Sequence, residues 1–138
     1  MNKLRLPGLL GLFISMVGLV SVLAWVGLRF SMPNPVLVAV GREEDFRAGQ
    51  APGFFSQDGR PFYVLMLDGK LIALSARSER ITHCTVRWQA ASNAFVDPCL
   101  GTHFAISGAY RGKGPPQEMR RLPLEVQDGQ VWVDIGYR

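Results

Sequence analysis

Two regimes of hydrophobic patterning divide the chain. Residues 7–28 are apolar without a single charged side chain, whereas beyond residue 36 apolar positions alternate with polar ones in short runs. As an α-helix rising about 1.5 Å per residue, the first run reaches roughly 33 Å, enough to cross a hydrocarbon core of about 30 Å. A cleaved signal peptide is the rival reading, with Lys3 and Arg5 as its basic flank. The apolar core of such a peptide is shorter, about 7–15 residues, and ends at a small-x-small site. The length of this run, with Trp25 and Arg29 as interfacial anchors at its far end, favours a retained transmembrane helix over residues 1–30. The basic flank predicts a single-pass chain in the cytoplasmic membrane, with a cytoplasmic N-terminus and a periplasmic or extracytoplasmic C-terminal domain. Gly11, Ser15, Gly18 and Ser21 fall on one helix face, where a second membrane helix can approach closely.

Residues 31–35 form a hinge that Pro33 and Pro35 keep from continuing the helix. Beyond it the period changes to that of strands. A strand is predicted over 36–40, then a polar connection over 41–53 with a short helical turn at 43–46. Two strands, 61–67 and 70–75, flank Asp68-Gly69, a strong two-residue hairpin signal. A closing hairpin joins 122–126 to 131–135 around Asp128-Gly129, and Gly108, Gly112, Gly114, Pro115 and Pro116 mark loops. The fold class that follows is all-β: a small antiparallel β domain over 36–138 on a single N-terminal transmembrane helix.

Composition narrows the function. The mean hydropathy of +0.12 is high for a chain with 19% charged residues, and the apolar run accounts for it. The net charge of +4 is spread, with no cluster of bases outside the N-terminal flank, so a nucleic-acid partner is not indicated. Neither G-x-S-x-G nor a phosphate loop is present, and Ser107-Gly108 reads as a turn. The acidic run Glu43-Glu44-Asp45 reads as a solvated turn. Trp88, Phe95, Phe104 and Trp132 read as core. No catalytic residues are expected, and the chain reads as a non-enzyme.

Candidate chemistry gathers in residues 79–110, which hold the only cysteines, Cys84 and Cys99, and the only histidines, His83 and His103. The stretch contains Cys84-Thr85-Val86-Arg87-Trp88, then Asp97-Pro98-Cys99-Leu100-Gly101-Thr102-His103-Phe104, then Ser107-Gly108. It resembles the cluster-binding part of Rieske iron–sulfur proteins of the cytochrome bc-complex type. Their two boxes read C-x-H-x-G-C, commonly followed by T-V-x-W, and C-P-C-H-G-S, followed by a Phe and a Ser-Gly turn. Residues 71–75 are similar to the strand entering the first box, 112–116 to the proline loop, and 122–133 to the terminal hairpin.

The T-V-x-W match makes Cys84 the last cysteine of the first box. The ligand positions of the family then fall on Glu79, Ile81, Asp97 and Leu100. Two thiolates and two imidazoles hold a Rieske centre. Ile81 and Leu100 carry no donor atom, and the hard oxygens of Glu79 and Asp97 replace thiolate poorly. A degenerate domain without its 2Fe–2S cluster is expected, with no cofactor and no metal. Cys84 and Cys99 occupy the positions that form the family's disulfide. Beside that structural disulfide stand a thiol switch and a zinc site built from His83, Cys84, Cys99 and His103. Adjacent His83 and Cys84 tend to point apart, which weighs against zinc. The family's cluster histidines sit at an exposed tip that docks on a quinol-oxidising subunit, and Ile81 and Leu100 would place aliphatic groups there. The resemblance thus implies a non-catalytic accessory subunit of a respiratory or photosynthetic electron-transport complex, in contact with integral membrane subunits and lipid. The alternatives are an electron-transfer subunit, like that of quinol–cytochrome c reductases, that keeps a cluster by unusual ligation, and a disulfide- or metal-active assembly factor.

Overall fold

A computed structural model describes residues 17, 18, 21, 34–81, 83–113 and 117–136. The chain divides into two compact units, Met1–Asn34 and Pro35–Arg138. In the first, Val17, Gly18 and Ser21 are helical, and the Ser21 hydroxyl donates to the carbonyl of Val17 at 2.9 Å. Gly11, Ser15 and nearly all of the expected membrane span lie outside the described residues. Among the described residues no helix is long and apolar enough to cross a membrane.

The second unit is all-β and antiparallel throughout. Its strands are β1 (Leu37–Arg42), β2 (Gly53–Gln57), β3 (Arg60–Leu67), β4 (Lys70–Ser75), β5 (Arg87–Gln89), β6 (Ala94–Asp97), β7 (Thr102–Phe104), β8 (Tyr110–Arg111), β9 (Arg121–Leu122), β10 (Leu124–Gln127) and β11 (Gln130–Asp134). They form three sheets, ordered β1-β11-β10, β2-β3-β4-β9 and β5-β6-β7-β8. A short 3-10 turn follows β1 over Glu43–Asp45, where a helical turn is expected.

Strand β3 explains how the three sheets pack. Its middle, Phe62 to Leu65, is buried on both faces, so alternate residues feed two different cores. Phe62 and Val64 pack with Ala73, Val133 and Ile135 toward the β1-β11-β10 sheet. Tyr63 and Leu65 pack with Leu74, Val86, Phe95, Phe104 and Met119 toward the β5–β8 sheet. The sheet containing β3 is therefore the middle layer, and the Glu79–Tyr110 stretch rests on one side of it.

Local chemistry sets the turns. Asp58-Gly59, Asp68-Gly69 and Asp128-Gly129 each close a hairpin with both residues at positive φ, from 49° to 76°. That is the conformation whose twist matches the flanking strands, and Asp-Gly tolerates it best. The first of these turns joins β2 to β3, a hairpin that the expected polar connection over 41–53 leaves out. The predicted strand over 122–126 is in fact two. Pro123 has no N–H to continue a ladder, so β9 pairs with β4 before it and β10 with β11 after it.

Candidate functional site

The chain leaves the middle sheet at the end of β4 and makes a closed excursion before entering β5. Its neck is held by backbone bonds from Ala76 N–H to the Pro61 carbonyl (2.9 Å) and from Val86 N–H to the Ala76 carbonyl (2.7 Å). Further out, Ser78 N–H donates to the Cys84 carbonyl and Cys84 N–H to the Ile81 carbonyl, both at 2.9 Å. Tyr63 fastens this excursion from below. Its hydroxyl accepts from Trp88 N–H at 3.0 Å and donates to the Val86 carbonyl at 3.2 Å. Burial pushes the Tyr63 hydroxyl pKa above its ordinary value, against the lowering effects of the Trp88 bond and of nearby Arg87.

The second loop is the turn between β6 and β7. Gly101 N–H returns to the Asp97 carbonyl at 2.8 Å, and Gly101 takes a φ of 64° to let it do so. The Asp97 side chain folds over the same turn. Its Oδ1 accepts from the N–H of Cys99 at 2.9 Å and of Leu100 at 3.3 Å, and the residue is only 2% exposed. Aspartate favours such local bonding because its short carboxylate reaches the amides two and three residues on.

A disulfide between Cys84 and Cys99 joins the two loops, with the Cα atoms 6.2 Å apart. Asp97 Oδ1 lies 3.0 Å from Cys84 Sγ. A disulfide sulfur carries no proton, so this is a close sulfur–oxygen contact and not a hydrogen bond. Cys84, Asp97 and Cys99 bring their donor atoms within 4.8 Å of one another, the one such group of three among the described residues. With both sulfurs bonded to each other, neither offers a thiolate, and the group presents a single carboxylate. The histidines do not join it. His83 is exposed on the first loop, and His103 is exposed on β7, paired across from Val96 and Arg111.

The remaining positions of interest sit around this brace. Glu79 pairs with Arg120 at 3.1 Å, across 41 residues of chain. Leu100 is 43% exposed, whereas Ile81 is half-buried, so of these two aliphatic side chains the one on the second loop is the more open to solvent. Phe95 and Phe104 are core residues, and Trp88 packs edge-on against Phe95 with its Nε1 buried and without a partner among the described residues. Trp132 is half-buried on β11. Residues 114–116 of the expected proline loop lie outside the described residues. Sequence reading passes over Tyr63 and Arg120, since nothing in a strand-like run or a lone arginine marks a partner 25 or 41 residues away.

The folded β unit is of the Rieske type, and comparison with known proteins places it there. A plasma membrane Rieske protein of the cyanobacterium Synechocystis PCC 6803 superposes with a TM-score of 0.54 at 26% identity, covering 70% of this chain and 98% of that one. The oxygenase–ferredoxin complex of carbazole 1,9a-dioxygenase matches 76% of this chain and 30% of its own with a TM-score of 0.54; at 15% identity this likeness concerns the fold alone. In sequence the chain is 30% identical over 86 residues to the chloroplast cytochrome b6-f complex iron–sulfur subunit of Triticum aestivum, covering 58% of this chain and 39% of that subunit. It is 31% identical over 88 residues to the corresponding subunit of Bigelowiella natans. The chain spans less than two fifths of the length of these curated relatives, from 34% to 39%. No protein-family model matches the sequence. The chain is thus homologous to the Rieske subunits of cytochrome b6-f complexes and has their kind of fold.

Proposed function

We propose that this chain is a non-catalytic accessory subunit of a membrane electron-transport complex, in which a Rieske-type domain without a 2Fe–2S cluster serves as an interaction module. One observation carries the reading: the only two cysteines are spent on each other. A Rieske centre takes two thiolates on one iron and two imidazoles on the other. Here no thiolate remains, the Asp97 carboxylate is turned onto its own loop, Glu79 is held by Arg120, and Ile81 and Leu100 have no donor. The donor set does not fit the group, and no electron-transfer step is assigned to it. The relatives are subunits of cytochrome b6-f complexes, which supports a partner of that kind. Leu100, exposed at the tip, supplies the apolar contact point for a lasting association. The apolar run over 7–28 tethers the domain to the membrane, with the β domain on its outer side.

The test is iron and acid-labile sulfide analysis of the purified full chain, together with paramagnetic resonance after reduction. We expect neither metal nor a Rieske signal. Two irons and two sulfides per chain with a Rieske spectrum would sink the proposal and establish the electron carrier, the reading favoured by donor atoms clustered within 4.8 Å should the disulfide open. In the same preparation, Leu100→Asp is expected to lower the yield of co-purifying membrane cytochromes while the domain stays folded.

A further inference from the structure

Beside the base of the first loop, where β3 begins and β4 ends, lies a cavity of about 390 Å³. Three arginines line it, Arg60, Arg77 and Arg120, against a single carboxylate, Glu79. The lining is therefore doubly positive. Its apolar part comes from Pro61, Phe62, Leu122 and Ile135, of which Phe62 and Ile135 are buried in the core between the middle sheet and β11 and Pro61 and Leu122 are half-buried. Among the described residues each guanidinium makes one bond. Arg60 Nη1 donates to the Ile135 carbonyl at 2.6 Å, Arg77 Nη2 to the Gly59 carbonyl at 3.2 Å, and Arg120 Nη2 to Glu79 at 3.1 Å. A guanidinium has five N–H donors, so most of the donor capacity of all three is left for a ligand. Charge in excess of its counter-charge, beside an apolar wall, is the lining expected of a small-molecule site.

We propose that this cavity binds a small organic anion, a phosphate or carboxylate group on an apolar body. The anionic head is bound by the arginines, whose planar forks match both groups in bidentate fashion. The apolar body lies on Pro61 and Leu122. A ligand head competes with Glu79 for Arg120, so Glu79 acts as an internal stand-in that holds the arginine in place when the cavity is empty of ligand. Arg120 also gives its carbonyl to Ser75 N–H at 2.8 Å, which fixes its backbone to the end of β4 independently of the side chain. The proposal does not rest on the accessory role, although the lining shares Glu79 with the first loop.

Calorimetric titration of the full chain with hexyl phosphate, with inorganic phosphate and hexanol as comparators at one ionic strength, tests the proposal. Hexyl phosphate is expected to bind roughly tenfold or more tighter than inorganic phosphate, and hexanol to give no saturable heat. Arg77→Gln and Arg120→Gln should each weaken hexyl phosphate binding by about five- to tenfold, and Glu79→Gln should strengthen it by about threefold, because a charge-assisted contact is lost in the first two and a competitor in the third. Arg77→Lys keeps the charge without the fork and should fall between wild type and Arg77→Gln. Hexyl phosphate binding no tighter than inorganic phosphate would overturn the proposal. So would unchanged binding in Arg77→Gln and Arg120→Gln variants whose thermal unfolding matches wild type, or weaker binding in Glu79→Gln.

Discussion

Removing the Cys84–Cys99 bond while leaving everything else in place should cost a definite amount of stability. The bond closes a loop with a sequence separation of 15, for which the chain-entropy model gives about 3 kcal/mol at 25 °C. For a domain of this size that is roughly 12–24 °C of melting temperature. The replacement residue matters, because Cys84 Sγ lies 3.0 Å from Asp97 Oδ1 in a buried setting. Serine at 84 supplies a hydroxyl that can donate to that carboxylate, a neutral-to-charged bond worth about 1.5 kcal/mol or more. Alanine at both positions cannot. The doubly substituted alanine variant should therefore lose about 3 kcal/mol, and the doubly substituted serine variant about half as much. Urea unfolding of the full chain, followed by tryptophan fluorescence, reads both values. The reasoning fails if the alanine variant loses less than about 1 kcal/mol, or if serine and alanine lose equally. The first result would mean that the loops are not held by the cross-link. The second would mean that Asp97 is already satisfied by the amides of Cys99 and Leu100.

Two further substitutions probe how the loops are seated. Tyr63→Phe keeps the ring against Phe95 and Phe54 but deletes the bonds to Trp88 N–H and the Val86 carbonyl, so a loss of about 2 kcal/mol is expected in the same unfolding assay. The Tyr63 pKa is raised by folding, so its contribution is complete below the unfolded value near 10 and is lost as the pH rises from there through the folded value; stability measured from pH 9 upward should fall less steeply in Tyr63→Phe than in wild type. Gly108→Ala should cost about 2 kcal/mol, since Gly108 has a φ of 85° and an added Cβ would meet Leu74 Cδ2 at 3.1 Å and Met119 Cβ at 3.3 Å. A melting temperature unchanged from wild type would show that the β7–β8 turn yields more readily than its packing against β4 suggests.

What the sequence reveals of the fold is the part encoded locally. Asp68-Gly69 and Asp128-Gly129 announce their hairpins because positive φ at two successive positions is demanding and few residue pairs supply it. Asp58-Gly59 carries the same signal, but it falls between the expected polar connection over 41–53 and the expected strand over 61–67, and no hairpin is assigned to it. The break of the last segment into β9 and β10 depends on which sheet each half joins, and Pro123 marks only that a ladder must stop. At the site, the pairing of Cys84 with Cys99 follows from the resemblance of the flanking motifs and not from spacing. The roles of Glu79 and Asp97 are absent from the sequence altogether. A carboxylate at a ligand position looks the same whether it faces a metal, caps its own turn or pairs with Arg120, and only the fold distinguishes these.

Three ties of unequal strength hold the two loops in shape, and their order bears on the proposed role. The disulfide contributes about 3 kcal/mol. The Asp97 cap adds two amide bonds to a buried carboxylate, a short charge-assisted one from Cys99 at 2.9 Å and a longer, weaker one from Leu100 at 3.3 Å. The Glu79–Arg120 pair, with side chains 33% and 40% exposed, is worth at most about 1 kcal/mol. The two strong ties converge on the turn that carries Leu100, and the weak one serves the first loop, where Ile81 is already half-buried. In the proposed accessory subunit this asymmetry is useful. A contact side chain displayed on a turn already fixed by a cross-link and a cap loses little conformational freedom when a partner closes over it, so more of its burial appears as affinity. Metal ligation would also order that turn, but at the cost of turning its donors toward the iron. With Asp97 facing inward to its own amides, the second loop keeps its order and leaves its outer surface to Leu100.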